Sequence, residues 1–356
     1  MRIFRNVALA MLILTTALVI FVCSYFNYQI SPVSNNNTLK TVVIEEGGIS
    51  DIANTLKENN LIRDVTMFKV YIKLTGKSNL KASTYELSEN MGVKKIVKIL
   101  EDGNSYNPDE VKITFKEGIN VRKIASLISE NTNNSEEDVY DLLKNSEYLD
   151  ELIDSYWFIT DDIKDNRIYY SLEGYLYPDT YIFMNKDVSV KEIFKKMLDE
   201  MNEKLTPYKE KINNSDLSIH EILTLASIVE LEGASSSDRN GVAGVFYNRL
   251  DSGMTLGSDV TTYYGLKLDM SERDLTKSEL NDCNSYNTRC STFTGLPVSP
   301  ICNSSIESIE AVLEPTNHDY YYFVADKNKK TYFTKTYEEH LDMVSKLKEE
   351  GLFFEY

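Results

Sequence analysis

A chain of 356 residues has room for two or three domains, each with its own core. Its 38 Lys and Arg against 55 Asp and Glu leave a net charge of −17, which argues against a nucleic-acid binder, a class that normally shows a basic face. Three histidines and four cysteines, with no C-x-x-C pair, suit neither a zinc cluster nor a Cys–His couple, so no metal and no cofactor is expected.

Arg2 and Arg5 precede the apolar run VALAMLILTTALVIFV at 7–22, which residues 23–26 extend to about the roughly 20 residues that a bilayer-spanning helix needs. The positive-inside rule then leaves the N-terminus in the cytoplasm and everything after Asn27 outside. A cleaved signal peptide is the competing reading. No A-x-A-like site follows the run, and Cys23 lacks the small-residue approach of a lipoprotein site, so 1–30 is expected to be a retained anchor and the polar stretch 31–40 a tether. The exterior part keeps Cys283, Cys290 and Cys302, as one disulfide and one thiol or as three thiols.

An internal repeat follows. TVVIEEGGISDIANTL at 41–56 reads as a strand, a glycine turn and an amphipathic helix entering at Ser50; VKITFKEGINVRKIASLI at 111–128 repeats it with one extra residue. Between the copies, 65–74 reads as a helix, 82–87 as a strand, and 94–100 as a helix ending at Gly103. Such β-turn-helix units resemble the LysM-like modules that read N-acetylated glycan chains; a packing unit with no ligand is the plainer alternative. The expected modules are 41–106 and, with a helical connector, 107–155, in which 138–153 reads as one helix.

In the block 156–356, SLEGYLYPDTYIF at 171–183 alternates aromatic and polar residues around Gly174 and Pro178, which suits a loop and short strand lining a cleft. A helix at 190–205 precedes SIHEILTLASIVELEG at 218–233, where Ser218 and Glu221 form a capping box and Gly233 is a suitable stop. Then come a helix at 242–250, a glycine-punctuated, hydroxyl-rich stretch at 253–265, and a segment at 295–303 whose prolines exclude a central strand. A helix at 305–313, a strand pair at 320–325 and 330–333, and a helix at 336–349 complete the chain. Strands and helices alternate without strict βαβ spacing, so the fold class is α+β.

Glu230 stands out in the capped helix. Ser227, Ala226 and Leu223 lie three, four and seven residues before it, so its side chain shares a mostly apolar stripe near the helix's C-terminal end. Burial and the negative pole of that helix both disfavour charge, and a carboxyl held neutral can act as a general acid. A surface glutamate at a frayed helix end is the bland alternative.

LEGYLYPDTY at 172–181, LASIVELEG at 225–233, VAGVFYNRL at 242–250, GMTLGSDVTTYYG at 253–265, YNTR at 286–289, GLPVSPICN at 295–303, YYFVAD at 321–326 and TYEEH at 336–340 occur in that order. From about Thr41 onward the chain thereby resembles the endolytic murein transglycosylases, the MltG or YceG-like family. The resemblance implies a membrane-anchored enzyme that cuts peptidoglycan glycan strands internally, with 156–356 as catalytic domain and Glu230 as acid and base. It would cleave the β-1,4 bond between N-acetylmuramic acid and N-acetylglucosamine and leave 1,6-anhydromuramyl ends. Glu173, Asn248, Ser258, Asp259, Thr261, Tyr286, Asn287 and Thr288 fall in family motifs and are expected at the substrate, although turn or cap formation explains each equally well.

Three departures touch the rim of the expected cleft: Val260 in place of the usual proline, Ser304-Ser305 in place of Pro-Gly, and a longer segment at 290–294. Two other readings compete with the transglycosylase. One is a muramidase-type hydrolase using Glu173 or Asp259 as base; the other is a non-catalytic peptidoglycan scaffold that recruits synthases.

Overall fold

The computed structural model describes residues 2–103, 110–233, 235 and 237–353; the boundary expected at 106/107 and the side chains of Arg2 and Arg5 lie outside that description. Two compact units divide the chain between Glu110 and Val111.

The first unit opens with α1 (Arg2–Gln29), whose stretch Met11–Gln29 is long and apolar enough to cross a bilayer and buries none of its residues, although Phe26 packs on the core of the unit and Arg63 lies over the Tyr28 ring. β1 (Lys40–Ile44) pairs antiparallel with β2 (Ser83–Leu87), from Lys40 opposite Leu87 to Ile44 opposite Ser83. Val42 and Ile44 face inward at the two-residue period of a strand. They share a core with Leu56 of α2 (Ile49–Glu58), Phe68 of α3 (Val65–Thr75) and Ile96 and Leu100 of α4 (Val93–Asp102). The polar segment after α1 is laid along this unit: the amides of Val33 and Ser34 donate to the Glu89 carbonyl, and Arg63 Nη2 donates to the carbonyls of Pro32 and Val33.

In the second unit β3 (Val111–Thr114) pairs antiparallel with β4 (Thr180–Phe183), which places the strand of the second β-turn-helix copy inside this unit. α5 (Val121–Asn131) follows β3. The single helix expected over 138–153 is two, α6 (Glu136–Lys144) and α7 (Ser146–Ser155). Asn145 breaks it by ending one and capping the other, its side-chain oxygen accepting the Tyr148 amide at 3.0 Å. Beyond β4 come α8 (Val190–Leu205), the short α9 (Lys209–Asn213), α10 (Ile219–Glu232) and α11 (Arg239–Asp251).

Ser218 caps α10 reciprocally with Glu221, as expected. The helix is buried along every face from Ile219 to Val229 except at Glu221, so it runs through the core and has no single apolar stripe. The stretch 253–265 contains α12 (Asp259–Gly265), hidden in the sequence by its β-branched and aromatic residues and formed because Val260, Thr261, Thr262 and Tyr264 are buried. After α13 (Lys277–Leu280), α14 (Ile306–Leu313) packs on both α10 and α11. The hairpin of β5 (Tyr322–Ala325) and β6 (Thr331–Thr334) carries α15 (Tyr337–Glu349) against it. Cys283 and Cys290 are bonded, with Cα atoms 5.3 Å apart, while Cys302 is a buried free thiol.

Candidate active site

Glu230 lies in the last turn of α10 with 6% of its side chain exposed. One oxygen accepts Arg239 Nη2 at 2.9 Å. The other accepts the Ser305 amide at 2.9 Å, Ser305 Oγ at 2.5 Å and Ser308 Oγ at 2.8 Å. Ser305 is the N-cap of α14, so the positive end of that helix points at the carboxylate. Arg239 also donates to Ser305 Oγ at 2.9 Å, which fixes the guanidinium between α10 and α14. Polar donors therefore surround Glu230 where an apolar stripe was expected, because α11 and α14 bring their first turns to the end of α10.

Gly233 has φ of −68°, an ordinary value, so the left-handed helix stop read from the sequence is absent. Its use is space: a Cβ there would meet Arg239 Cγ at 2.9 Å. On the other side, the loop at 115–120 is stapled to Asn303 by hydrogen bonds from the Gly118 amide to the Asn303 carbonyl and from the Asn303 amide to Ile119. Gly118, in the left-handed region at φ +75°, would put a Cβ 3.3 Å from Leu231 and 3.8 Å from Glu230 Cγ. Beside it, the Glu117 carboxyl, on a residue exposed at the surface, is pushed up by partial loss of its hydration and then by the charges of Glu230 and Glu307.

Glu173 is wholly buried. Its oxygens accept the Val121 amide at 3.1 Å, Tyr264 Oη at 2.9 Å and Asn303 Nδ2 at 3.2 Å, and burial pushes its carboxyl up to about 8. Ser258, Thr261, Thr288 and Asn287 make a second buried network behind α12. Ser258 Oγ donates to Glu232 at 2.6 Å, Thr261 Oγ1 lies 2.9 Å from Thr288 Oγ1, and Asn287 Oδ1 accepts Thr262 Oγ1 at 2.7 Å. Asp259 is exposed and pairs with Arg289 at 2.6 Å. Buried Tyr286 accepts the Tyr169 amide at 3.0 Å. Asn248 donates to the carbonyls of His318 and Tyr320, tying α11 to the segment before β5. The structure thus gathers Ser258, Asp259, Thr261, Asn287 and Thr288 in one place and Glu173 in another, and gives Glu230 partners of its own. A cavity of about 420 Å³ is lined by Tyr320, Phe333 and α15, and by neither Glu230 nor any of the expected substrate-binding residues.

The YceG-like family model matches residues 42–346. The chain belongs to the YceG-like family. It is 34% identical over 319 residues to the endolytic murein transglycosylase of Bacillus subtilis (strain 168), covering 89% of this chain and 87% of that protein. Its identity to the endolytic murein transglycosylase of Streptococcus pneumoniae serotype 2 (strain D39 / NCTC 7466) is 30% over 337 residues, and the match spans 61% of that protein's length. A crystal structure of a yceG-like protein from Listeria monocytogenes superposes with a TM-score of 0.62 at 36% identity, over 86% of this chain and 99% of that one.

In this YceG-like chain the sequence pointed to Glu230 and missed its partners Arg239, Ser305 and Ser308. Ser305 carried a usable signal, since a helix was expected to start there and helix N-termini attract carboxylates. Arg239 carried none.

Proposed function

We propose that this YceG-like chain is an endolytic murein transglycosylase, held by α1 at the outer face of a cytoplasmic membrane with its N-terminus inside. Its substrate would be a peptidoglycan glycan strand, cut between N-acetylmuramic acid and N-acetylglucosamine, with a role in ending or trimming strands as they are made. Family membership and the printed activity of its relatives support the reaction class. The observation that carries the choice of Glu230 is its carboxylate, shielded yet bordered by the loop at Gly118, with donors that fix both oxygens.

In the proposed cycle a protonated Glu230 gives its proton to the bridging oxygen as the bond to the muramyl anomeric carbon breaks. The N-acetylglucosamine side leaves with that proton. The resulting carboxylate then takes the proton of the muramyl 6-hydroxyl as its oxygen bonds to the anomeric carbon. The proton returns to Glu230, no water is consumed, and one carboxyl serves both steps because the second nucleophile belongs to the substrate. The hydroxyls of Ser305 and Ser308 can donate to the carboxylate or accept from the acid, so Glu230 keeps partners in both states. Arg239 holds the carboxyl in place. Glu173, closed off from solvent, is better suited to capping α5 than to touching sugar. The β-turn-helix unit at 41–106 is proposed to hold the strand in a LysM-like manner.

Muropeptide analysis of digested sacculi tests this reading. The parent chain should release 1,6-anhydromuramyl ends, and Glu230→Gln should lower that release by on the order of 10²–10⁴-fold. Equal release by the two proteins would remove Glu230 from the chemistry.

A further inference from the structure

A pocket of about 180 Å³ is lined by Leu231, the residue that follows Glu230, although Glu230 itself does not line it. Gly118 and Leu231 form the shared edge: both line the pocket, and a Cβ at Gly118 would touch both Leu231 and Glu230. The same pocket is lined by Arg122 and Lys123, from the first turn of α5, and by Tyr263 and Tyr264 of α12.

Arg122 keeps an unused donor. Among the described residues it makes no ion pair, and its Nη1 is enclosed without a hydrogen-bond partner. Its guanidinium carbon sits 5.8 Å from the centre of the Tyr264 ring, which leaves the edge of the group for another partner. The nearby carboxyl of Glu173 is pushed up to about 8 by burial, which weakens its attraction for the cation, and it makes no ion pair with Arg122. Asp269, the acidic residue of the pocket, is held below the usual carboxylate range first by Ser271, whose amide and hydroxyl its Oδ1 accepts at 2.9 and 2.8 Å, and then by the charges of Arg122 and Lys123, but it makes no direct ion pair with Arg122. A guanidinium nitrogen enclosed without a hydrogen-bond partner is costly, and the half-buried Arg122 keeps that donor for a ligand.

We infer that this pocket receives a carboxylate of the peptide stem carried by the muramyl residue, with Arg122 as its ion-pair partner and Lys123 at the mouth. The inference rests on the proposed substrate: a muramyl unit at Glu230 carries its stem on the same sugar whose bond is cut, and Gly118 joins the two places. The planar fork of Arg122 suits a carboxylate, and turning the guanidinium edge outward frees Nη1 to take it. The tyrosine walls shield that pair from water. The enzyme would then prefer strands that keep their stems over strands stripped of them.

Calorimetric titration of the full chain in detergent micelles tests this independently of catalysis. The probes are an N-acetylmuramyl dipeptide with free carboxylates and the same glycopeptide with both carboxylates amidated. The parent should bind the acid form about tenfold or more tighter, the range for a charge-assisted pair. Arg122→Ala should abolish the preference, Arg122→Lys should restore part of it, and Lys123→Ala should weaken it at higher salt less than at low salt. Circular dichroism melts of each variant show that it is folded. Equal binding of the two probes by the parent, no binding of either, or a preference that survives Arg122→Ala overturns the inference. Retained preference in a protein that releases no anhydro ends would fault the proposed reaction and leave the pocket standing.

Discussion

Arg239 is the residue whose loss should separate positioning from chemistry. It bridges Glu230 Oε1 and Ser305 Oγ, and its side chain fits only because Gly233 has no Cβ. Arg239→Ala should reduce kcat by about 10–100-fold, the equivalent of one charge-assisted hydrogen bond, and should shift the pH profile of the reaction. Arg239→Lys should recover only part, since an ammonium cannot make both contacts in one plane. An unchanged pH profile in Arg239→Ala would remove it from the site. Ser305 was visible in the sequence as a helix start; its bond to Glu230 was not, because the two residues are 75 positions apart and only tertiary packing joins them. Glu173 makes a separate prediction. Its carboxyl is held near 8 against 4.5 for an ordinary glutamate, so between those values the folded chain keeps a proton that the unfolded chain has lost. Its stabilising contribution is full below about 4.5 and disappears as pH rises through about 8. Glu173→Gln stays neutral throughout, so its stability relative to the parent should grow across that window in denaturant titrations; a constant difference would contradict the assignment.

At the scale of elements, what could be read in advance was local. The caps of α8, α10 and α15 are all Ser or Thr paired with Glu three residues on, and each helix starts where that pair says. α12 was not legible, since its residues favour strands and its helix exists by burial. The break at Asn145 was missed because a continuous apolar period ran across it. The approach of the loop at 171–178 to the segment before α14 depends on Gly174, at φ +85°, where a Cβ would lie 2.3 Å from Pro300 Cβ. Gly174→Ala should therefore lower stability by about 3 kcal/mol or more, from backbone strain plus overpacking. Gly253→Ala, at φ +64° with open space around it, should cost only about 1 kcal/mol. Equal shifts in the two unfolding midpoints would show that the Pro300 contact does not constrain the loop.

For the whole molecule, the apolar N-terminus and the disulfide agree with each other. A bond between Cys283 and Cys290 belongs in an oxidising compartment, which the proposed export of everything after α1 would supply. Spacing had left the pairing open, because seven residues of separation permit a bridge without requiring one. The closed loop contains Tyr286, Asn287 and Thr288, so Cys283→Ser with Cys290→Ser should lower the stability of the larger unit by about 2 kcal/mol. A thermal transition that reduction leaves unmoved would show that the buried network alone holds this loop. The family was legible from motif order across nearly the whole chain, yet most motif residues are buried in the frame around Glu230. The proposed chemistry is tested most directly by digesting purified glycan strands in water enriched in heavy oxygen and weighing the new muramyl ends. Attack by the muramyl 6-hydroxyl predicts anhydro ends that carry no label and vanish with Glu230→Gln. Labelled reducing ends would make water the nucleophile and contradict a lone carboxyl serving both steps.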